Sequence, residues 1–209
     1  MKISASSGKQ NKIHISCDGE YTFTVDAEYW FSSPYHSMSV IENEEELTAF
    51  FKAVGSRCAF IAGLRFLSYR DHSENEIINK LSQKGHKREY IKDACEKLKE
   101  YGYIDDFRFA QGHARNLLER KGMSIRGIKN ELFRKGISNE ISDVVTESLD
   151  IDPVLRIIDL LNTKYSRYLS DGKGIRKTFS SLQRLGYNWS DIKSAFRRIE
   201  FETEDFIDE

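Results

Sequence analysis

Helix breakers and reactive pairs are scarce in this sequence. Only two prolines and three cysteines occur in 209 residues. So few prolines leave nearly every backbone N–H free to join a helix. Cys17, Cys58 and Cys95 are odd in number and far apart, and no CxxC occurs. That spacing fits neither a disulfide framework nor a zinc pattern. No run of about 18 apolar residues exists, so no membrane span is expected. The N-terminus lacks a charged-then-apolar signal layout, which makes the cytoplasm the expected location.

The motifs of common chemistries are missing as well. GxxxxGK[ST], GxGxxG and GxSxG do not occur, and no cysteine nucleophile has a placed partner. Histidines 14, 36, 72, 86 and 113 form no i, i+4 pair and no HExxH, so a metal site is not expected. "SDGKGIRK", with Gly172 and Gly174, resembles a phosphate turn weakly and reads better as an inter-helix loop. The paired acids of "YGYIDDFRFA", Asp105 and Asp106, could suggest a nuclease. They have no His, Cys or further acid at ligand spacing nearby, so Asp106 reads as a helix cap and Asp105 as a turn residue. No enzyme, cofactor or metal is expected.

What the chain does have is charge, unevenly placed. The formal net charge is only −1, with 31% charged, 39% hydrophobic and 12% aromatic residues. Residues 107–137 hold eight Lys/Arg against two acids, and 153–198 hold ten against three. The first 55 residues hold four against eight, and the stretch from 199 has six acids and no base. A neutral total therefore conceals basic segments that would suit an anionic partner, although solvated helix faces give the same counts.

The start of the chain reads as β. Ile13, Ile15 and Cys17 alternate with polar residues, then Asp18-Gly19, then Tyr21, Phe23 and Val25 alternate with threonines. Asp-Gly between two period-2 runs predicts a hairpin, because both turn residues take positive φ. "SSPYHSMSVI" reads as a loop. Asn43, with Glu46 three residues on, predicts the cap of a short helix ending at Val54.

From about residue 55 a repeat takes over. "LSQKGH", "LFRKGI" and "LQRLGY" each place a Leu four residues before a Gly, and Gly85, Gly136 and Gly186 are 51 and 50 residues apart. Twelve residues before each glycine lies a predicted helix start: Ser73, Ser124 and Gly174. Ser73 with Glu76 forms a capping box, and a glycine at each helix end suits the left-handed C′ position. A further amphipathic stretch follows each glycine: Tyr90 to Tyr101 in the first copy, Ile141, Val144 and Val145 in the second, Ile192 to Ile199 in the third. Another helix precedes each start. In the second copy its stripe is Phe107, Ala110, Ala114, Leu117 and Leu118; in the third, Asp152-Pro153 opens it.

These spacings predict a mainly α fold. A tandem array of three three-helix repeats, elongated and curved, follows a small N-terminal β-hairpin and short helix. The expected divisions are 1–55 for hairpin and helix, 56–105, 106–151 and 152–201 for the repeats, and 202–209 for an acidic tail.

Basic residues recur within the repeats. Arg108 and Arg115 are seven apart beside the apolar stripe. Arg120, Lys121, Arg126, Lys129, Arg134 and Lys135 follow, and Lys173, Arg176, Lys177 and Arg184 repeat the theme. Such faces on an array would suit nucleic acid or a helical protein polymer; solvation is the plain alternative.

Residues 101–137, "YGYIDDFRFAQGHARNLLERKGMSIRGIKNELFRKGI", resemble the RecX family, regulators of bacterial RecA recombinase. The likeness rests on the "IDD-x-x-FA" turn, with Asp105, Asp106 and Phe109, and the "I-x-x-EL-x-x-KGI" helix, with Leu132 and Gly136. It extends over roughly residues 56–200. The third repeat departs most, lacking the "IDD" turn and the Glu-Leu pair. The resemblance implies a non-catalytic, monomeric regulator in recombination, DNA repair and the SOS response. It would lie along the groove of the RecA–DNA filament, inhibit ATP hydrolysis and strand exchange, and touch DNA weakly or through the filament. From charge and position, the twelve basic residues above are the expected contacts. The alternative is a helical-repeat protein that binds DNA directly, without RecA.

Overall fold

The computed structural model describes residues 1–199; the acidic tail expected at 202–209 lies outside them. The chain forms two compact units, Met1–Asp105 and a second beginning at Asp106.

The first unit opens with an antiparallel sheet of β1 (Ile3–Ser7), β2 (Lys12–Cys17) and β3 (Glu20–Asp26), in that spatial order. Asp18 and Gly19 form the expected turn, at φ 50 and 87. The hairpin gains a strand that the sequence reading left out. "ISASS" buries only Ile3, so no alternation announces it, and pairing from Ile3↔Cys17 to Ser7↔Ile13 holds it in place. The expected row Tyr21, Phe23, Val25 also breaks. Ile15 pairs with Phe23 but Ser16 pairs with Tyr21. Thr22 is therefore a bulge, and such an extra residue re-aims the side chain beyond it. Val25 is buried while Tyr21 stands 65% exposed.

Where a loop was expected, Asp26 caps a short helix, α1 (Ala27–Ser32), by accepting from the Tyr29 N–H at 2.9 Å. Asn43 does cap the next helix, accepting from the Glu45 N–H at 2.8 Å. That helix, α2 (Glu44–Leu67), runs 24 residues instead of ending at Val54. Residues 55 and 56, where a division was expected, lie inside it. Its continuation is hard to read because small residues fill the buried side. A Cβ added at Gly55 would fall 2.4 Å from the Tyr90 ring, and one at Gly63 would fall 2.7 Å from Leu98. By length and composition α2 could cross a bilayer. Its mid-helix Arg57 instead grips Asp26, and its buried face completes the core of unit 1.

After α2 come α3 (Glu74–Gln83) and α4 (Arg88–Glu100), then, in the second unit, α5 (Asp106–Asn116), α6 (Ile125–Arg134), α7 (Asn139–Glu147), α8 (Pro153–Asn162), α9 (Gly172–Arg184) and α10 (Trp189–Arg198). The repeat is written in hydrogen bonds. His86 N–H donates to Leu81 O and Gly85 N–H to Ser82 O; Ile137 donates to Leu132 and Gly136 to Phe133; Tyr187 donates to Leu182 and Gly186 to Gln183. These are three Schellman endings in one register, with the glycines at φ 84, 79 and 96, a region costly for residues with a Cβ.

Helix starts follow the sequence with two shifts. Ser73 and Ser124 cap α3 and α6, accepting from Glu76 and Gly127 N–H. The third start is Asp171, which accepts from the Gly174 N–H at 2.6 Å, so α9 begins before the expected Gly174. Likewise α5 begins at Asp106 itself. Asp105 thus takes the position before the helix, and Asp106 sits in the first turn with the dipole in its favour. Three residues expected in apolar stripes, Tyr101, Phe107 and Val144, are 66%, 41% and 56% exposed.

Candidate partner-binding faces of the helical repeats

Within the second unit, α5–α7 and α8–α10 each close on a core of their own: Phe109, Ala114, Leu117, Ile128, Leu132 and Val145 in one, Ile157, Leu161, Phe179, Leu182, Ile192 and Phe196 in the other. The seam between them is backbone-tight. Ser124 N–H donates to Leu185 O at 3.0 Å. The Tyr187 hydroxyl donates to Gly122 O at 3.1 Å, and burial pushes that phenol up to about 12. Arg156 donates to Leu118 O at 3.0 Å and to Asp159 at 2.7 Å. Its guanidinium is thus engaged within the fold.

Gly127 has no Cβ where Leu185 O approaches; an added one would be 2.3 Å away. Sequence reading missed this seam. The only signal was a glycine inside the first turn of a helix, which costs helical stability and so implies a close neighbour. A cavity of about 200 Å³ opens beside it, lined in part by Met123, Ile151, Pro153 and Asp191.

Superposing the repeats by their Schellman glycines aligns Arg126 with Arg176 and Arg134 with Arg184. All four are exposed. Each pair spans eight residues, about 12 Å along its helix, with Asn130 or Ser180 and Phe133 or Gln183 between. The first repeat has Asn75 and Gln83 at these offsets. The arginine side is thus shared by α6 and α9 and absent from α3. Phe133, 71% exposed, gives α6 an apolar centre that α9 lacks. Arg176, Lys177 and Arg184 bound a shallow, open depression on α9.

The other expected residues divide. Arg108 and Arg115 are exposed on α5, and Lys173 is exposed in the first turn of α9. Arg120 and Lys121 are exposed on a π-helical segment, Leu117–Lys121, that ends α5. Lys129 is half-buried and tied to Asp143 at 2.6 Å, joining α6 to α7. Arg134 also reaches Glu131 at 2.6 Å, an exposed pair worth only a fraction of a kcal/mol, about 0.2–1. Lys135 is half-buried at the end of α6.

Among the described residues, no three His, Cys, Asp or Glu side chains stand together as a metal site. Burial pushes the Cys58 and Cys95 thiols to about 11, so both stay protonated at neutral pH. Burial also lowers the His72 pKa, against the hydrogen bond to Glu76.

Comparison with known proteins places these repeats. Residues 59–98 match the RecX first three-helix domain, and residues 105–144 match the RecX second three-helix domain. The chain is 30% identical to "Regulatory protein RecX" of Clostridium perfringens (strain SM101 / Type A) over 198 residues, covering 90% of each. It is 29% identical to the protein of that name from Caldanaerobacter subterraneus subsp. tengcongensis over 195 residues, covering 90% of this chain and 93% of the relative. A solved structure described as "Crystal structure of regulatory protein RecX" shares the fold at TM-score 0.65 and 22% identity, covering 94% of this chain and 98% of that one.

Proposed function

This chain belongs to the RecX family of regulatory proteins, and on that premise we propose that it binds the RecA–DNA filament and restrains ATP hydrolysis and strand exchange. In this reading it is a cytoplasmic monomer that performs no chemistry. The supporting observation is the arginine side repeated on α6 and α9. Two copies of one charged pattern, about 50 residues apart, suit a partner that repeats its own negative charge, as a polymer of identical subunits on DNA does. The planar guanidinium forks would take phosphates or carboxylates bidentately, and Phe133 would supply an apolar anchor at the centre of one copy. Arg108 and Arg115 add exposed basic side chains on α5.

RecA's ATP hydrolysis on single-stranded DNA tests this directly. Stoichiometric protein should slow hydrolysis and strand exchange. Replacing Arg126, Arg134, Arg176 and Arg184 by alanine should relieve that inhibition while the circular dichroism stays unchanged. If the parent protein leaves both activities unaltered, the proposal fails.

A further inference from the structure

Unit 1 contains a cleft that the regulatory reading does not use. It lies along β3, an edge strand of the sheet, and faces the turn between α3 and α4. Its volume is about 510 Å³, within the roughly 300–1,000 Å³ of ligand sites. Three elements contribute rings: Tyr21 and Phe23 from β3, Phe51 from α2, and Tyr90 from α4. Lys84, His86 and Lys87 stand on the other side, Thr22 and Thr24 add hydroxyls, and among the described residues no Asp or Glu lines the cleft.

The local geometry favours one kind of occupant. The Thr22 bulge turns Tyr21 out of the core-facing row, leaving its ring 65% exposed, and its hydroxyl shares a 2.9 Å hydrogen bond with Thr24. Lys87 lies 5.5 Å from the Tyr90 ring, which anchors its ammonium at the rim, while the Lys84 ammonium lies 5.4 Å from Phe66, a ring outside the lining. A peptide strand adding to the edge would meet the bulge, and the Thr24 carbonyl already accepts from the Cys58 thiol at 3.3 Å. A ligand with flat rings and regularly spaced negative charge has no such obstacle. Stacking surfaces beside a carboxylate-free basic rim are what unpaired bases and their phosphates require.

We propose that this cleft binds a short segment of single-stranded nucleic acid, with Tyr21 stacking on a base and Lys84 and Lys87 contacting phosphates. The site belongs wholly to unit 1 and does not depend on the regulatory reading.

The test uses the full chain without RecA and a fluorescent deoxythymidine oligomer of about ten nucleotides. Tyr21→Ala should weaken binding roughly tenfold and Tyr21→Phe should restore it. Lys84→Gln with Lys87→Gln should flatten the slope of log affinity against log salt by roughly 1.4, the loss of two phosphate contacts on a single strand. An oligomer carrying 5-iodouracil should crosslink to Tyr21. Replacing the four arginines of α6 and α9 should leave these three signatures in place. Parent-like binding by both the tyrosine and the lysine variants would overturn the proposal. So would equal competition by an oligoglutamate, which would make the cleft a peptide site, or by thymidine monophosphate, which would make it a mononucleotide site. Because RecA is absent, failure here leaves the filament proposal standing, and failure there leaves this one.

Discussion

The phenol of Tyr187 donates to the carbonyl of Gly122, 3.1 Å away and 65 residues earlier in the chain. Tyr187 is 2% exposed, so neither group has ready access to water. Tyr187→Phe should cost about 1–2 kcal/mol, since it orphans a buried acceptor. Urea unfolding monitored through Trp189, which lies in the same unit, measures it. A cost under about 0.3 kcal/mol would show that the bond is replaced by solvent.

The same phenol makes a pH prediction. Burial raises Tyr187 to about 12 from 10.0, so the folded state holds its proton more tightly than the unfolded chain. The stability linked to that proton is intact below pH 10 and lost as pH rises towards 12. Tyr29, also raised by burial to about 12, places the same dependence on unit 1. Unfolding free energy should therefore fall between about pH 10 and 12, and less steeply in Tyr187→Phe.

Two glycines in helices should answer an added methyl with opposite signs. At Gly127 a Cβ would lie 2.3 Å from Leu185 O, backbone that cannot rotate away. Gly127→Ala should be destabilising by about 1–3 kcal/mol, even after the gain in helix propensity. At Gly112, on α5, nothing lies within 4 Å, and Gly112→Ala should stabilise by about 0.5–1 kcal/mol. Thermal melts of the two variants check both signs together.

Asp26 serves α1 and α2 at once. It caps α1 through the Tyr29 N–H and accepts both arms of Arg57 at 2.9 and 3.0 Å. Burial would raise its pKa, but Arg57 and the Tyr29 N–H outweigh it and the carboxyl sits below 3.8. Its stabilisation is complete above the ordinary carboxylate range and drains away as pH falls through 3.8 and below. Asp26→Asn should cost about 2 kcal/mol in unit 1 and blunt that acid dependence. Trp30 fluorescence in a Trp189→Phe background reads the unit alone.

How much the sequence disclosed depended on whether an element carried its own punctuation. The repeats were legible because Ser73, Ser124 and the three Schellman glycines are local chemistry, readable without knowing what packs nearby. Asp171 escaped notice because Gly172 and Gly174 suggested a loop. The α2 helix was cut short because Gly55, Ser56, Ala59 and Gly63 interrupt any apolar stripe, and their smallness makes sense only once Tyr90 and Leu98 are in place. Strand β1 gave no signal, since one buried residue in five makes no pattern. For the candidate faces, residue type and exposure were foreseen for Arg126, Arg134, Arg176 and Arg184. The internal roles of Lys129 and Arg156 were not, because a partner 14 or 38 residues away leaves no local mark.

The seam at Leu185 also governs how the second unit would yield to force. The carbonyl of Leu185 accepts from Ser124, and Gly122 accepts from Tyr187, so the α9–α10 turn of one repeat is bolted to the α5–α6 turn of the other. A chain pulled in an optical trap should release these six helices in a single rip, with no plateau at half the extension. Tandem repeats ordinarily give up their modules one by one; these two should break together.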